Sequence, residues 1–98
     1  MIRHVVAWQL AATDPDEKTA HATRIAAGLS GLVGVVDEIR SLEVGADVIG
    51  GGNWDVALII EFDDRDALAR YAAHPEHQKL VTFIRSVAAQ RMAVDFES

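Results

Sequence analysis

The order of apolar patterns along the 98 residues predicts an α+β fold, with one antiparallel sheet covered by helices on a single face. Three observations predict it. Apolar residues alternate through Ile2 to Leu10, as in a strand with one buried face. Asp14-Pro15 and Asp63-Asp64 each open a stretch with the apolar spacing of a helix. Trp54 to Phe62 is apolar on both faces, as in a central strand.

In the first strand Ile2, His4, Val6, Trp8 and Leu10 take one face, and Arg3, Val5, Ala7 and Gln9 the other. Asp14 suits the N-cap of the first helix, Pro15 its first position, and Glu17 completes a capping-box pattern. This helix runs to about Ser30, with Ala22, Ile25, Ala26 and Leu29 as its stripe. Gly28, Gly31 and Gly34 loosen and end it. Val36 to Val44 reads as the second strand, with Ile39, Leu42 and Val44 as its apolar members. Gly45 to Asn53, with its Gly50-Gly51-Gly52 run, is a loop by composition. The third strand is Trp54 to Phe62. Asp63 or Asp64 caps a short helix, Arg65 to Ala73. Pro75 starts another, reaching about Ala88, with Leu80, Phe83, Ile84 and Val87 as its stripe. Arg91 to Phe96 is the last strand. Strand, helix, strand, strand, helix pair, strand is the split βαβ, or ferredoxin-like, order.

The length allows one domain, residues 1–98. Half of the residues are apolar, more than one small core needs. The sheet face away from the helices is apolar as well. Two copies packed sheet to sheet would close a barrel around an apolar cavity, so a homodimer is expected. The net charge is −6, and the basic residues are scattered. That excludes a nucleic-acid binder and argues against an anionic membrane surface. Absence of cysteine excludes disulfides, thiolate nucleophiles and sulfur-ligated metals, and fits a cytoplasmic protein. No apolar run approaches the ~20 residues of a spanning helix, and the N-terminus lacks a signal-peptide pattern.

Chemistry is concentrated in Tyr71-Ala72-Ala73-His74-Pro75-Glu76-His77, at the helix junction. His77 falls in the first turn of the helix begun by Pro75. The positive end of the dipole there disfavours an imidazolium. His77 is therefore either a packing residue or a neutral base. Tyr71 is either a core ring or a hydrogen-bond donor to a developing enolate oxygen. His4 shares its strand face with Val6 and Trp8 and can reach the same cavity. His74 precedes proline and is expected to cap the junction, with ligand contact as the alternative. Trp8 and Trp54 are packing residues or walls for an aromatic ligand. His74, His77 and His4 make a conceivable metal set, but Pro75 puts His74 out of line with the helix, and no metal is expected. The glycine run lacks the Lys-Ser/Thr of a phosphate loop, and no cofactor is expected.

The chain resembles the stress-responsive A/B barrel domain family of dimeric α+β barrels. The resemblance rests on Ile2-Arg3-His4-Val5-Val6, on Trp54-Asp55-Val56-Ala57-Leu58 with Glu61-Phe62, on Tyr71 through Gln78, and on Val94-Asp95-Phe96. It implies a homodimer whose sheets close into a barrel. In the family's polyketide cyclase, a tyrosine and a histidine matching Tyr71 and His77 carry a cofactor-independent aldol ring closure, and a histidine matching His4 lines the cleft. That cyclase has a further cleft histidine where this chain has Val56. Two readings of function follow. One is a dimer that binds a small hydrophobic or aromatic ligand without catalysis, with His4, Trp8, Trp54, Val56 and His74 as contacts. The other is a cyclase- or isomerase-like enzyme with His77 as base and Tyr71 as oxyanion donor.

Overall fold

A computed structural model describes residues 1–98. Its elements are β1 (Ile2–Leu10), α1 (Pro15–Ser30), β2 (Ser41–Ala46), β3 (Val56–Phe62), α2 (Arg65–Ala73), α3 (Pro75–Val87) and β4 (Ala88–Glu97). The strands form one antiparallel sheet in the order β2-β3-β1-β4. This is the ferredoxin-like fold, with β1 and β3 at its centre.

The helix starts follow their local chemistry. The Asp14 carboxylate accepts the Glu17 N–H at 2.9 Å, satisfying one amide of the first turn of α1. The reciprocal half of the capping box is not made. Glu17 lies 3.9 Å from His21 Nε2 instead. Asp64, not Asp63, caps α2, accepting the Ala67 N–H at 2.8 Å. Asp63 forms a two-pronged pair with Arg40, 2.7 and 2.9 Å.

Four expectations are corrected. The second strand begins at Ser41 rather than Val36. Leu32, Val36 and Ile39 are joined by consecutive turn hydrogen bonds, and Leu32 and Val36 are buried in the core. Their apolar spacing served packing of a turn, not a strand. The third strand starts at Val56 rather than Trp54, and just before it the Asp55 carboxylate accepts the Leu10 N–H at 2.7 Å. The last strand begins at Ala88, directly after α3, with a register shift opposite Gln9 and Leu10. Gly28 does not loosen α1. A Cβ there would stand 2.6 Å from Leu80 Cδ1, so glycine permits the close approach of α1 and α3.

The core lies between the sheet and the helices. Val6, Trp8, Leu58, Ile60 and Phe62 meet Ile25, Leu29, Tyr71 and Ile84 there. The opposite sheet face is bare. Val5 stands across from Ile59 and Val94, and Ala7 from Ala57 and Met92. Ile59, Met92, Val94 and Phe96 are 36, 48, 53 and 44% exposed. The central strand β3 is apolar on both sides but covered on one.

Candidate functional site

The site is built by the break between α2 and α3. His74 has ψ 133°, the extended conformation that a following proline imposes. The Glu76 N–H, which a continuous helix would give to Ala72 O, donates to His74 Nδ1 at 3.1 Å instead. The orphaned Ala72 carbonyl is taken by side chains from the next turn: His77 Nδ1–H donates to it at 3.1 Å, and the Gln78 amide donates to it too. With Nδ1 holding the proton, Nε2 is the acceptor of the neutral ring.

This anchoring lays His77 against Tyr71, with ring centroids 4.2 Å apart. Tyr71 is buried and packs on Phe62 at 5.0 Å and on His4 at 6.2 Å. His4 comes from the covered face of β1 and is 8% exposed. Its Nδ1 bonds the carboxylate of Asp95, its register partner on β4.

Burial governs the electrostatics. It holds the His77 imidazole below its ordinary value, the hydrogen bond to Ala72 opposes it, and the Arg91 guanidinium adds to the lowering. The neutral ring expected from the helix dipole is therefore favoured chiefly by desolvation. Burial also pushes the Tyr71 phenol well above its ordinary value, with Arg91 opposing. Tyr71 stays protonated at neutral pH and can donate.

His4, Tyr71 and His77 line one cavity of about 320 Å³. Its apolar walls include Val6, Trp8, Leu29, Leu58, Val81 and Ile84; Gln78, Arg85 and Arg91 supply polar groups. The cavity lies between the sheet and the helices of one chain, not between two sheets as the barrel picture implied. The reason is the alternation in β1, which turns His4 and Trp8 toward the helices.

The other expected contacts stand elsewhere. His74 is the N-cap of α3 and does not line the cavity. Val56 is 2% exposed, opposite Trp8 in register. Val56 and Trp54 border a different concavity of about 450 Å³, shared with Ala7, Ala57 and Ile59 of the bare face. Asp95, Arg85, Arg91 and Gln78 were missed. Strand register signals Asp95 and Arg91, as partners of His4 and Trp8. No local motif marks Arg91, and Asp95 lies in the Val94-Asp95-Phe96 segment of the family resemblance without a role assigned to it.

A family model described as the stress responsive A/B barrel domain matches residues 2–98. Among solved structures, the chain is similar to a dimeric protein of ferredoxin-like fold from Bacteroides fragilis, 31% identical at TM-score 0.91, covering 99% of this chain and 95% of that one. A dimeric ferredoxin-like protein from Thermobifida fusca is 28% identical at TM-score 0.84, covering 99% and 90%. A family protein from Mesorhizobium loti is 20% identical at TM-score 0.73, covering 99% and 95%. No curated protein matches. No helix is long and apolar enough to cross a membrane.

Proposed function

Since the chain belongs to the stress-responsive A/B barrel domain family, we propose that it is a homodimer whose protomers each bind a small, largely apolar or aromatic ligand between sheet and helices. One observation carries this reading: an apolar cavity of about 320 Å³ on which His4, Tyr71 and His77 converge. Its volume is that of about ten water molecules, at the small end of ligand sites. The bare apolar sheet face and the dimeric state of the similar proteins support the homodimer. The binding test uses a neutral fluorescent aromatic, 2-naphthol. Val81→Trp fills the cavity from α3 and abolishes saturable binding while the circular dichroism spectrum is retained. Equal binding by the variant and the parent chain overturns the reading.

A second reading is favoured by the state of His77. A neutral imidazole with Nε2 available, packed at a tilt against a protonated phenol, has the parts for proton removal next to a carbonyl. In this reading His77 is the base, Tyr71 the oxyanion donor, His4 a polar wall, and no cofactor takes part. The assay is α-hydrogen exchange of 2-tetralone in D₂O. His77→Ala slows exchange by about 10²-fold or more, and Tyr71→Phe slows it with binding retained. Exchange no faster than buffer in the parent chain rejects catalysis of this kind and leaves the binding reading standing.

A further inference from the structure

The chain has 15 acidic residues against nine lysines and arginines. In so acidic a protein each cation is expected to find a carboxylate. Six do: Arg3, Lys18, Arg40, Arg65, Arg70 and Lys79 stand 2.7 to 3.7 Å from Glu61, Asp55, Asp63, Glu97, Glu38 and Glu76. A seventh, Arg24, lies over the Phe83 ring at 3.8 Å. The remaining two, Arg85 and Arg91, have neither kind of partner, and both line the cavity of His4, Tyr71 and His77.

They come from different elements. Arg85 sits in the last turn of α3, and Arg91 lies opposite Trp8 on β4. Both are exposed, so they sit at the rim rather than the floor. No aspartate or glutamate lines the cavity. The nearby carboxylate on β4, Asp95, is engaged by His4 Nδ1. The rim is thus positive without a counter-charge, above a floor of Trp8, Leu29, Leu58 and Ile84. Guanidinium groups bind carboxylates through paired N–H donors, a geometry a lone ammonium does not offer.

We propose that the ligand of this cavity is an amphipathic organic carboxylate, its apolar or aromatic body on the Trp8 floor and its anionic head between Arg85 and Arg91. The proposal rests on the ligand-binding reading above and adds the charge of the ligand. It is tested with two probes of one shape, 2-naphthoate and 2-naphthamide, titrated into the intact protein at low salt. Naphthoate binds about tenfold or more tightly than naphthamide, as for a charge-assisted pair at an exposed rim. The combined Arg85→Gln and Arg91→Gln variant brings the ratio of the two affinities to about one. Equal affinities in the parent chain, or a carboxylate preference that survives in the variant, overturn the charge assignment while the cavity reading stands. Failure of both probes to bind overturns both.

Discussion

Val94→Asp separates the two protomers if the bare sheet face is where they meet. Val94 is 53% exposed and stands across from Val5. Full burial of a valine is worth about 1.5–3 kcal/mol, so covering its remaining half contributes about 1 kcal/mol. An aspartate there loses that term. It must also surrender hydration without a cationic partner, at a further cost of at least about 2 kcal/mol. A two-fold interface repeats the change on both copies. The sum is about 6 kcal/mol, roughly four orders of magnitude in the dissociation constant. Sedimentation velocity at micromolar concentration should show a dimer for the parent chain and a monomer for the variant. Thr23→Asp, on the exposed side of α1, should leave the dimer intact. A Val94→Asp chain that sediments as the parent dimer would refute sheet-to-sheet association.

Two further outcomes follow from the geometry. Gly28→Ala adds about 1 kcal/mol of helix propensity but forces Leu80 aside, an overpacking that costs about 1–3 kcal/mol. Urea unfolding should show it neutral to destabilising in the parent chain and stabilising by about 1 kcal/mol beside Leu80→Ala; the same change in both backgrounds would deny the close helix approach. The second concerns pH. The folded-state value of His77 lies below its ordinary 6.5, so the unfolded chain binds more protons between the two values. The stability that His77 contributes is complete above pH 6.5 and is lost as pH falls through that interval. His77→Gln should flatten this part of the curve of melting temperature against pH, and superimposable curves would contradict the half-buried neutral ring.

Much of the fold was legible because its signals are local. Asp14-Pro15, Asp64 and Pro75 mark helix starts by capping and fixed backbone angles, and β1 alternates without interruption. The segment around Val36 was not legible. Apolar residues packing a turn against the core look, over so short a stretch, like a strand, and the turn bonds that decide the matter depend on the preceding helix. At the site, the junction singled out His77 and Tyr71, which the fold brings together with His4. Val56 was placed with them because the resembled cyclase has a cleft histidine there, and Trp54 as a wall for an aromatic ligand, whereas both border the concavity reached from the bare face. Arg85, Arg91 and Asp95 come into reach only through helix phase and strand register, which a reading of adjacent residues does not contain.

Pro75 has a chemical consequence although its ring never meets the cavity. Were residues 65–87 one unbroken helix, Ala72 would receive its donor from the main chain, and the imidazole one turn later would lose its tether. Both tautomers would then be open to it. A residue with no functional group thereby decides which edge of another residue is basic, and the acid–base character of the pocket is written into the backbone before any ligand arrives.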